Sequence, residues 1–162
     1  MDAGRKLRIY LDSSVVNHLF ADDTPDRMKD TIRLWEECIA DKYEVFVSPV
    51  VFAELDECPE PKSEWMYEKM AMLELKELPA TDEVRNLAFD YIKHGVFTEK
   101  NLNDCLHIAY AVVNNCDVIV SWNFRHIVRF KTIDGVKIVN AINRYREISI
   151  VSPAMLVEEA GK

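Results

Sequence analysis

Short apolar runs along the chain alternate with longer stretches of helical periodicity. Strands are predicted at Leu7–Leu11, Tyr43–Val47, Val118–Val120 and 148–151, because these runs are compact, mostly apolar and bounded by polar residues. Strands separated by helices of ten or more residues need crossover connections, which favour a parallel sheet covered on both faces. The pattern therefore predicts a three-layer α/β/α fold around a central, mainly parallel sheet.

Helix start signals lie between the predicted strands. Thr24-Pro25 and Ser48-Pro49 each place proline at the first helical position, and Thr81 can cap a further helix. The remaining predicted helices cover 15–20 after a Ser13-Ser14 cap, 62–78 with a short apolar segment at its end, 101–115 and 136–146. No stretch resembles a linker, so we expect a single domain over residues 1–162.

Acidic and amide side chains follow the predicted strands or begin the helices after them. Asp12 ends the first strand, and Glu54 lies in the second turn of the helix that follows the second strand. Asp104 lies in the first turn of an otherwise apolar helix, and Asn123 follows the third strand. In parallel sheets, ligands collect beyond the carboxyl ends of the strands, so these four side chains are expected to lie together. Asp117 is expected at the opposite edge.

Carboxylates that lie close together repel one another, and a cation relieves that repulsion. Oxygen ligands without histidine or thiolate select hard ions, so we expect Asp12, Glu54 and Asp104 to hold Mg²⁺ or Mn²⁺. These ions suit phosphodiester hydrolysis, because they activate a water and neutralise charge on phosphoryl oxygens. Each acid alone is better explained as a helix cap or a surface residue. Their joint placement at one sheet edge favours a site.

The charge of the chain is unevenly distributed. A net charge of -8 argues against a nucleic-acid partner, but residues 121–146 hold six basic residues and one acidic residue. Such asymmetry is compatible with a basic surface beside an acidic site, although a solvated face is the commoner cause. Arg125, Arg129 and Lys131 are the candidates to guide a nucleic-acid backbone.

Several other classes of protein and site are disfavoured. The histidines and glycines form no zinc motif, dinucleotide fingerprint or phosphate loop. A receiver domain needs an acidic pair after the first strand, and a haloacid-dehalogenase phosphatase needs aspartate where Ser14 stands. His107 follows Asp104 by one turn, yet packing or surface exposure is favoured over a role in the site. Trp122 and Phe124 can stack on bases, but their alternation with polar residues favours core packing.

The four cysteines have no C-x-x-C spacing and are interpreted as reduced thiols, which favours the cytoplasm. No run reaches the length of a membrane span, and the first residues do not form a signal-peptide apolar region. We therefore expect no membrane association.

Four ordered blocks carry a resemblance to a known family. They are YLDSSVV at 10–16, SPVVFAE at 48–54, NDCLHIAYA at 103–111 and DVIVSWNF at 117–124. The ordered set resembles the PIN-domain nucleases over nearly the whole chain, especially the VapC-like toxins of bacterial and archaeal toxin–antitoxin pairs. The segments NRY at 143–145 and IVSP at 150–153 also resemble that family.

The resemblance implies a metal-dependent endoribonuclease that acts on RNA, pairs with an antitoxin and forms a homodimer. Asp12, Glu54 and Asp104 match three acids that commonly bind the metal, and Ser14 matches the small polar position beside the first. Many members have a fourth acid where this chain has Asn123, whose amide can still position a water or a phosphate. This difference leaves the number of metal ions open. It also leaves open a catalytically weak or inactive module that binds RNA or a protein.

Overall fold

A computed structural model describes residues 4–160, with side chains through residue 157, and its strands form one parallel sheet. The strands in the described range are β1 (Leu7–Leu11), β2 (Tyr43–Val47), β3 (Leu75–Glu77), β4 (Val118–Val120) and β5 (Ser149–Val151). Their order across the sheet is β3-β2-β1-β4-β5, and each neighbouring pair is parallel. The strand order reverses between β1 and β4, and in such sheets ligands bind beyond the carboxyl ends of the strands at that point.

Helices connect consecutive strands and cover the sheet, which confirms the predicted three-layer α/β/α class. They are α1 (Ser13–Asn17), α2 (Pro25–Ile39), α3 (Pro49–Asp56), α4 (Lys62–Met70), α5 (Asp82–Lys93), α6 (Leu102–Val113), α7 (Phe130–Ile142) and α8 (Pro153–Ala160). A short 3-10 turn at His18–Phe20 extends α1, and another at Glu99–Asn101 precedes α6. No helix in the described range is long and apolar enough to span a membrane.

The core lies around the central strands. Ile9, Tyr10 and Leu11 of β1 are all buried, although successive side chains point to opposite faces of the sheet. This burial on both faces is what an internal parallel strand requires, and it explains why the strand reads as a continuous apolar run. Helix α6 is buried along most of its length and covers one part of this core.

Local start signals place the elements that matter for the site. Ser48 Oγ accepts a hydrogen bond from Val50 N and caps α3, while Thr81 caps α5 as predicted. The predicted cap of α1 was wrong, because the side chain of Asp12 caps that helix and the helix already begins at Ser13. Asp12 therefore joins the end of β1 directly to α1.

Two other predicted boundaries were wrong. The predicted helix over 136–146 begins earlier, at Phe130, and ends at Ile142. Gly135 lies inside α7, just before the predicted start, and a Cβ atom there would come within 2.7 Å of Val96 Cγ2. The segment at the end of 62–78 contains strand β3, which pairs with β2. Only Leu75 of β3 is partly buried, so no alternating pattern marked the strand.

The cysteines carry unmodified, unpaired thiols. Burial raises the pKa of Cys38, Cys105 and Cys116 to about 12, with negative side chains nearby adding to the effect at each. Thiols with such pKa values stay protonated at neutral pH and are poor nucleophiles. These three cysteines therefore act as small apolar side chains in the core.

Candidate active site

Asp12 lies at the carboxyl end of β1 and is only 4% exposed. Its Oδ1 accepts hydrogen bonds from the backbone N and the hydroxyl of Ser14, at 3.1 and 2.5 Å. Its Oδ2 accepts a 2.5 Å hydrogen bond from the Ser121 hydroxyl. The two serine oxygens in turn accept backbone hydrogen bonds from Trp122 and Asn123, both at 2.9 Å. The end of β1 is thereby fastened to the loop that follows β4.

Glu54 reaches the same region from the second turn of α3. Its Oε1 accepts hydrogen bonds from Ser13 Oγ at 2.9 Å and from His107 Nε2 at 2.6 Å. The other ring nitrogen of His107, Nδ1, lies 2.7 Å from the Tyr10 hydroxyl, which lies 2.7 Å from Ser48 Oγ. This buried chain connects β1, α3 and α6, and it holds one carboxylate oxygen of Glu54 in a defined position.

Asp104 enters from the first turn of α6, and Asn123 lies opposite it. Asn123 Nδ2 is 3.4 Å from Asp104 Oδ1, a long contact for a hydrogen bond. The carbonyl side of the amide is better fixed, because Asn123 Oδ1 accepts a 2.8 Å hydrogen bond from His126 N. The four candidate site residues thus lie at the carboxyl edge of the sheet.

The acids influence one another electrostatically. Burial raises the pKa of Asp12 and of Asp104, and the negative charge of Glu54 adds to both increases. Burial alone would also raise the pKa of Glu54, but hydrogen bonding and attraction to His107, with help from Ser13 and Asn103, lower it. Burial would lower the pKa of His107. The hydrogen bond to Glu54 and the negative charges of all three acids outweigh burial and raise that pKa.

The donor atoms fit a hard cation by their chemistry. Asp12, Glu54 and Asp104 offer carboxylate oxygens, and their mutual repulsion is the kind that a divalent cation relieves. In residues 4–160, however, no group of three or more His, Cys, Asp or Glu side chains is close enough to hold a metal ion as it stands. A shared cation would therefore require the acid side chains to move toward one another.

The candidate basic residues follow the loop after β4. Arg125 and Arg129 lie in the loop or at its end, and Lys131 lies in the first turn of α7. All three are exposed, and none forms an ion pair with another residue of the described range. They are open to solvent and form no ion pair with the acids of the site.

Sequence reasoning missed several polar residues of the site. Ser121 directly follows β4, so the rule that selected Asn123 could also have selected it. His107 was interpreted as a packed or surface residue; it is 1% exposed and packed, but it also contacts the site through Glu54. The two residues are 53 positions apart in the sequence and lie on different helices, so no local pattern encodes their contact.

The sequence profile of the PIN domain matches residues 9–133 of this chain. The matched region includes Asp12, Glu54, Asp104 and Asn123, together with the last three residues of β1 and all of β2 and β4. The chain belongs to the PIN-domain family, a family of nucleases. A search of curated proteins gives no match.

Three solved structures have the same fold at low sequence identity. VapBC2 of Rickettsia felis, bound to a DNA fragment from its promoter, is 16% identical with a TM-score of 0.52, covering 89% of this chain and 97% of that one. VapC20 of Mycobacterium tuberculosis, a sarcin–ricin loop cleaving toxin, is 15% identical with a TM-score of 0.53. The match covers 73% of this chain and 92% of that one. PAE2754 of Pyrobaculum aerophilum is 13% identical with a TM-score of 0.54, and the match covers 96% of this chain and 91% of that one. The fold is thus VapC-like.

Proposed function

We propose that the protein is a Mg²⁺- or Mn²⁺-dependent endoribonuclease that hydrolyses RNA phosphodiester bonds as the toxin of a toxin–antitoxin pair. The observation that carries this proposal is the approach of Asp12, Glu54 and Asp104 from three different elements to one edge of the sheet. The neighbouring polar network supports it, because Asp12 and Glu54 are held by defined hydrogen bonds. Membership of the PIN-domain family supports the same chemistry.

Asp12, Glu54 and Asp104 would hold the divalent cation through their carboxylate oxygens. A bound cation supplies activation of a water and neutralisation of charge on the phosphate. Ser14 and Ser121 orient the Asp12 carboxylate, and His107 orients the Glu54 carboxylate. The amide of Asn123 positions a water or a phosphate oxygen beside Asp104. Hydrogen bonds lower the pKa of Glu54 and so favour its ionised form, which is the form that binds a cation.

Arg125, Arg129 and Lys131 would attract the RNA backbone toward this edge of the sheet. Their side chains are exposed and lack ion pairs within the described residues, so their charge is available to phosphates. Replacing one of them should weaken RNA binding and reduce its salt dependence without changing the chemistry.

An antitoxin and a second copy of the chain are the proposed protein partners. The R. felis relative was solved as VapBC2 on promoter DNA, which supports an antitoxin partner for this VapC-like fold. Exposed apolar side chains on α7, including Phe130 and Ile142, offer surface for association between protein chains. Light scattering of the purified protein tests the homodimer, and co-expression with the product of the adjacent gene tests the antitoxin.

The decisive experiment compares three proteins on a pool of cellular RNA with Mg²⁺, Mn²⁺ or EDTA. Wild type and Glu57→Gln, which changes an exposed acid outside the network, are expected to cut RNA with either metal and to stop in EDTA. Asp104→Asn is expected to be inactive. Equal cutting by wild type and Asp104→Asn, or cutting that survives EDTA, would contradict the mechanism.

The alternative function is a PIN-like module that binds RNA or a protein without cutting. Asn123 favours this alternative, because an amide at the fourth position brings one negative charge fewer to the site. Retained RNA binding or partner binding by a wild-type protein that fails to cut with both metals would support it.

A further inference from the structure

Trp122 and Phe124 flank Asn123 in the loop after β4, but their environments differ sharply. Trp122 is 5% exposed, and its indole Nε1 donates a 2.8 Å hydrogen bond to Thr31 Oγ1 of α2. Phe124 is 43% exposed. The first ring thus anchors the loop to α2, whereas the second ring presents a substantial apolar surface to solvent.

The loop that carries Phe124 is held firmly in place. Asn123 O accepts backbone hydrogen bonds from Ile127 at 3.0 Å and Val128 at 2.8 Å, and Asn123 Oδ1 accepts one from His126. Phe124 N itself donates to Trp122 O at 3.0 Å. An exposed aromatic ring on such a fixed turn loses little freedom when a planar ligand stacks on it.

Arg27 of α2 adds a positive charge to the same cluster. Its guanidinium carbon lies 5.0 Å from the centre of the Phe124 ring and 5.4 Å from that of Trp122. No carboxylate in the described range forms an ion pair with Arg27. A guanidinium over aromatic rings and free of carboxylates can bind a phosphate while it stays in place.

The cluster is continuous with the acid site. Trp122 N donates to Ser14 Oγ, which donates to Asp12, and Asn123 Nδ2 faces Asp104 at 3.4 Å. Phe124 directly follows Asn123 in the same loop, and Arg27 lies against its ring, so the cluster is next to the acid site. Aromatic rings accept unpaired bases by stacking, and paired bases are not accessible to such contact.

We propose that Phe124 and Arg27 form a nucleotide-binding subsite, in which Phe124 stacks on an unpaired base and Arg27 binds an adjacent phosphate of the RNA. The proposal rests on the proposed function for the identity of its ligand. The subsite binds substrate, and the acids carry out the chemistry.

Fluorescence anisotropy in EDTA measures this binding without cleavage, using a labelled, unstructured RNA oligonucleotide and the same oligonucleotide annealed to its complement. Phe124→Leu keeps an apolar side chain but removes the aromatic face, and it is expected to raise the Kd for single-stranded RNA about tenfold, which corresponds to about 1.4 kcal/mol. Phe124→Trp is expected to restore the wild-type Kd. Neither change should alter the Kd for duplex.

The matched control is Phe89→Leu, because Phe89 is 56% exposed on α5, which supplies no residue to the acid site. It should leave the Kd unchanged. Arg27→Gln should weaken binding to single strands and lower the slope of log Kd against log salt by about 0.7. An unchanged Kd in Phe124→Leu, an equal loss in Phe89→Leu, or an equal loss on duplex would overturn the proposal.

A parallel cleavage assay in Mn²⁺ separates this subsite from the proposed function. A wild-type protein that binds through Phe124 but does not cut would contradict the nuclease function and leave the subsite intact. A wild-type protein that cuts, with the KM unchanged in Phe124→Leu, would contradict the subsite alone. Failure of wild type to bind RNA would overturn both.

Discussion

His107 Nε2 lies 2.6 Å from Glu54 Oε1, deep enough that the ring is 1% exposed. The other ring nitrogen lies 2.7 Å from the Tyr10 hydroxyl, so both nitrogens have partners. The ring is therefore fixed by two hydrogen bonds and by packing, and it fixes one oxygen of Glu54 in turn. The negative charge of Glu54 in turn helps to raise the pKa of Asp12 and of Asp104.

Replacing His107 should affect stability and activity together. His107→Leu leaves Glu54 without a buried donor, so we expect the free energy of unfolding to fall by about 1–3 kcal/mol. We expect the rate of RNA cleavage to fall at least about tenfold, because Glu54 loses its orientation. His107→Gln restores a donor of similar reach and should recover part of the rate. Urea unfolding and a cleavage time course measure the two effects.

His94 provides the matched control for this experiment. Its exposed ring lies at the C-terminal end of α5, and its Nδ1 is 2.9 Å from the backbone oxygen of Asp90. His94→Gln should leave both stability and cleavage within error of wild type. A His107→Gln protein as inactive as His107→Leu, despite wild-type stability, would contradict an orienting role for the hydrogen bond.

Asp104→Asn should make the protein more stable in the absence of metal. Burial and the neighbouring acids raise the pKa of Asp104, which shows that its negative charge is disfavoured in the folded protein. A neutral amide removes that charge, and we expect the free energy of unfolding at neutral pH to rise by about 1 kcal/mol. Thermal unfolding in EDTA measures this change.

Added metal should reverse that order of stability. A cation held by the three acids stabilises the wild-type protein by about 2.7 kcal/mol at a concentration 100 times its Kd. Asp104→Asn lacks one ligand and should show a much smaller rise in Tm with Mn²⁺, whereas Glu57→Gln should respond as wild type does. Equal increases in Tm for all three proteins would contradict the proposed metal site.

The sequence contained enough information to predict the main strands and the edge where the acids gather. β1, β2 and β4 have their predicted bounds because an internal parallel strand must be apolar on both faces. Edge strand β3 lacked that signal, because Leu75 alone is partly buried. Helix α7 begins at Phe130 and not at 136, and Gly135 lies inside it, where its close approach to Val96 is a tertiary constraint. Local sequence patterns thus located the helices and strands, whereas contacts between distant elements determined where they begin and end.

The same distinction applies to the candidate site. Asp12, Glu54, Asp104 and Asn123 could be selected because each follows a strand or lies near the start of a helix on the expected side of the sheet. Phe124 was expected to pack in the core with Trp122, but only Trp122 is buried. The alternating pattern assumes a continuing strand, whereas β4 ends at Val120 and a turn follows. The exposure of Phe124 therefore depends on a loop conformation that its sequence does not specify.

Asn123→Asp should test the fourth position of the site. Aspartate can still accept the hydrogen bond from His126 N, but it replaces the Nδ2 donor facing Asp104 with a carboxylate oxygen. Without metal, this added repulsion should lower the free energy of unfolding by about 1 kcal/mol. With Mn²⁺, the extra charge should tighten metal binding and raise the cleavage rate. Calorimetric titration and cleavage at several Mn²⁺ concentrations measure these effects.

Asn123→Ala separates charge from loop structure. It removes both the amide and the acceptor for His126 N, so it should destabilise the loop without improving metal binding. A gain in Mn²⁺ affinity in Asn123→Ala equal to that in Asn123→Asp would show that relief of crowding, and not the added carboxylate, is responsible.

Asp117 lies at the amino-terminal edge of β4, as expected, and it has a structural role there. Its two carboxylate oxygens accept hydrogen bonds from both terminal nitrogens of Arg5, at 2.9 and 3.0 Å, and Oδ2 accepts another from Arg8 N at 2.9 Å. Burial alone would raise the pKa of Asp117, but these bonds and the positive charges outweigh burial and lower it. The ionised side chain thus ties the start of β1 to β4.

This lowered pKa predicts a specific pH dependence of stability. The unfolded chain has an aspartate pKa of about 3.9. The ionised Asp117 therefore stabilises the folded protein fully above that value, and this contribution is lost as pH falls through the lower folded pKa. Asp117→Asn should reduce the free energy of unfolding by about 1–3 kcal/mol at pH 7, and the difference from wild type should shrink below about pH 4.

Asp134→Asn, at an exposed position of α7, should show no such pH-dependent difference. Urea unfolding between pH 7 and pH 3 measures both variants, and a deficit in Asp117→Asn that stays constant over this range would show that packing, and not the charge, stabilises this end of the sheet.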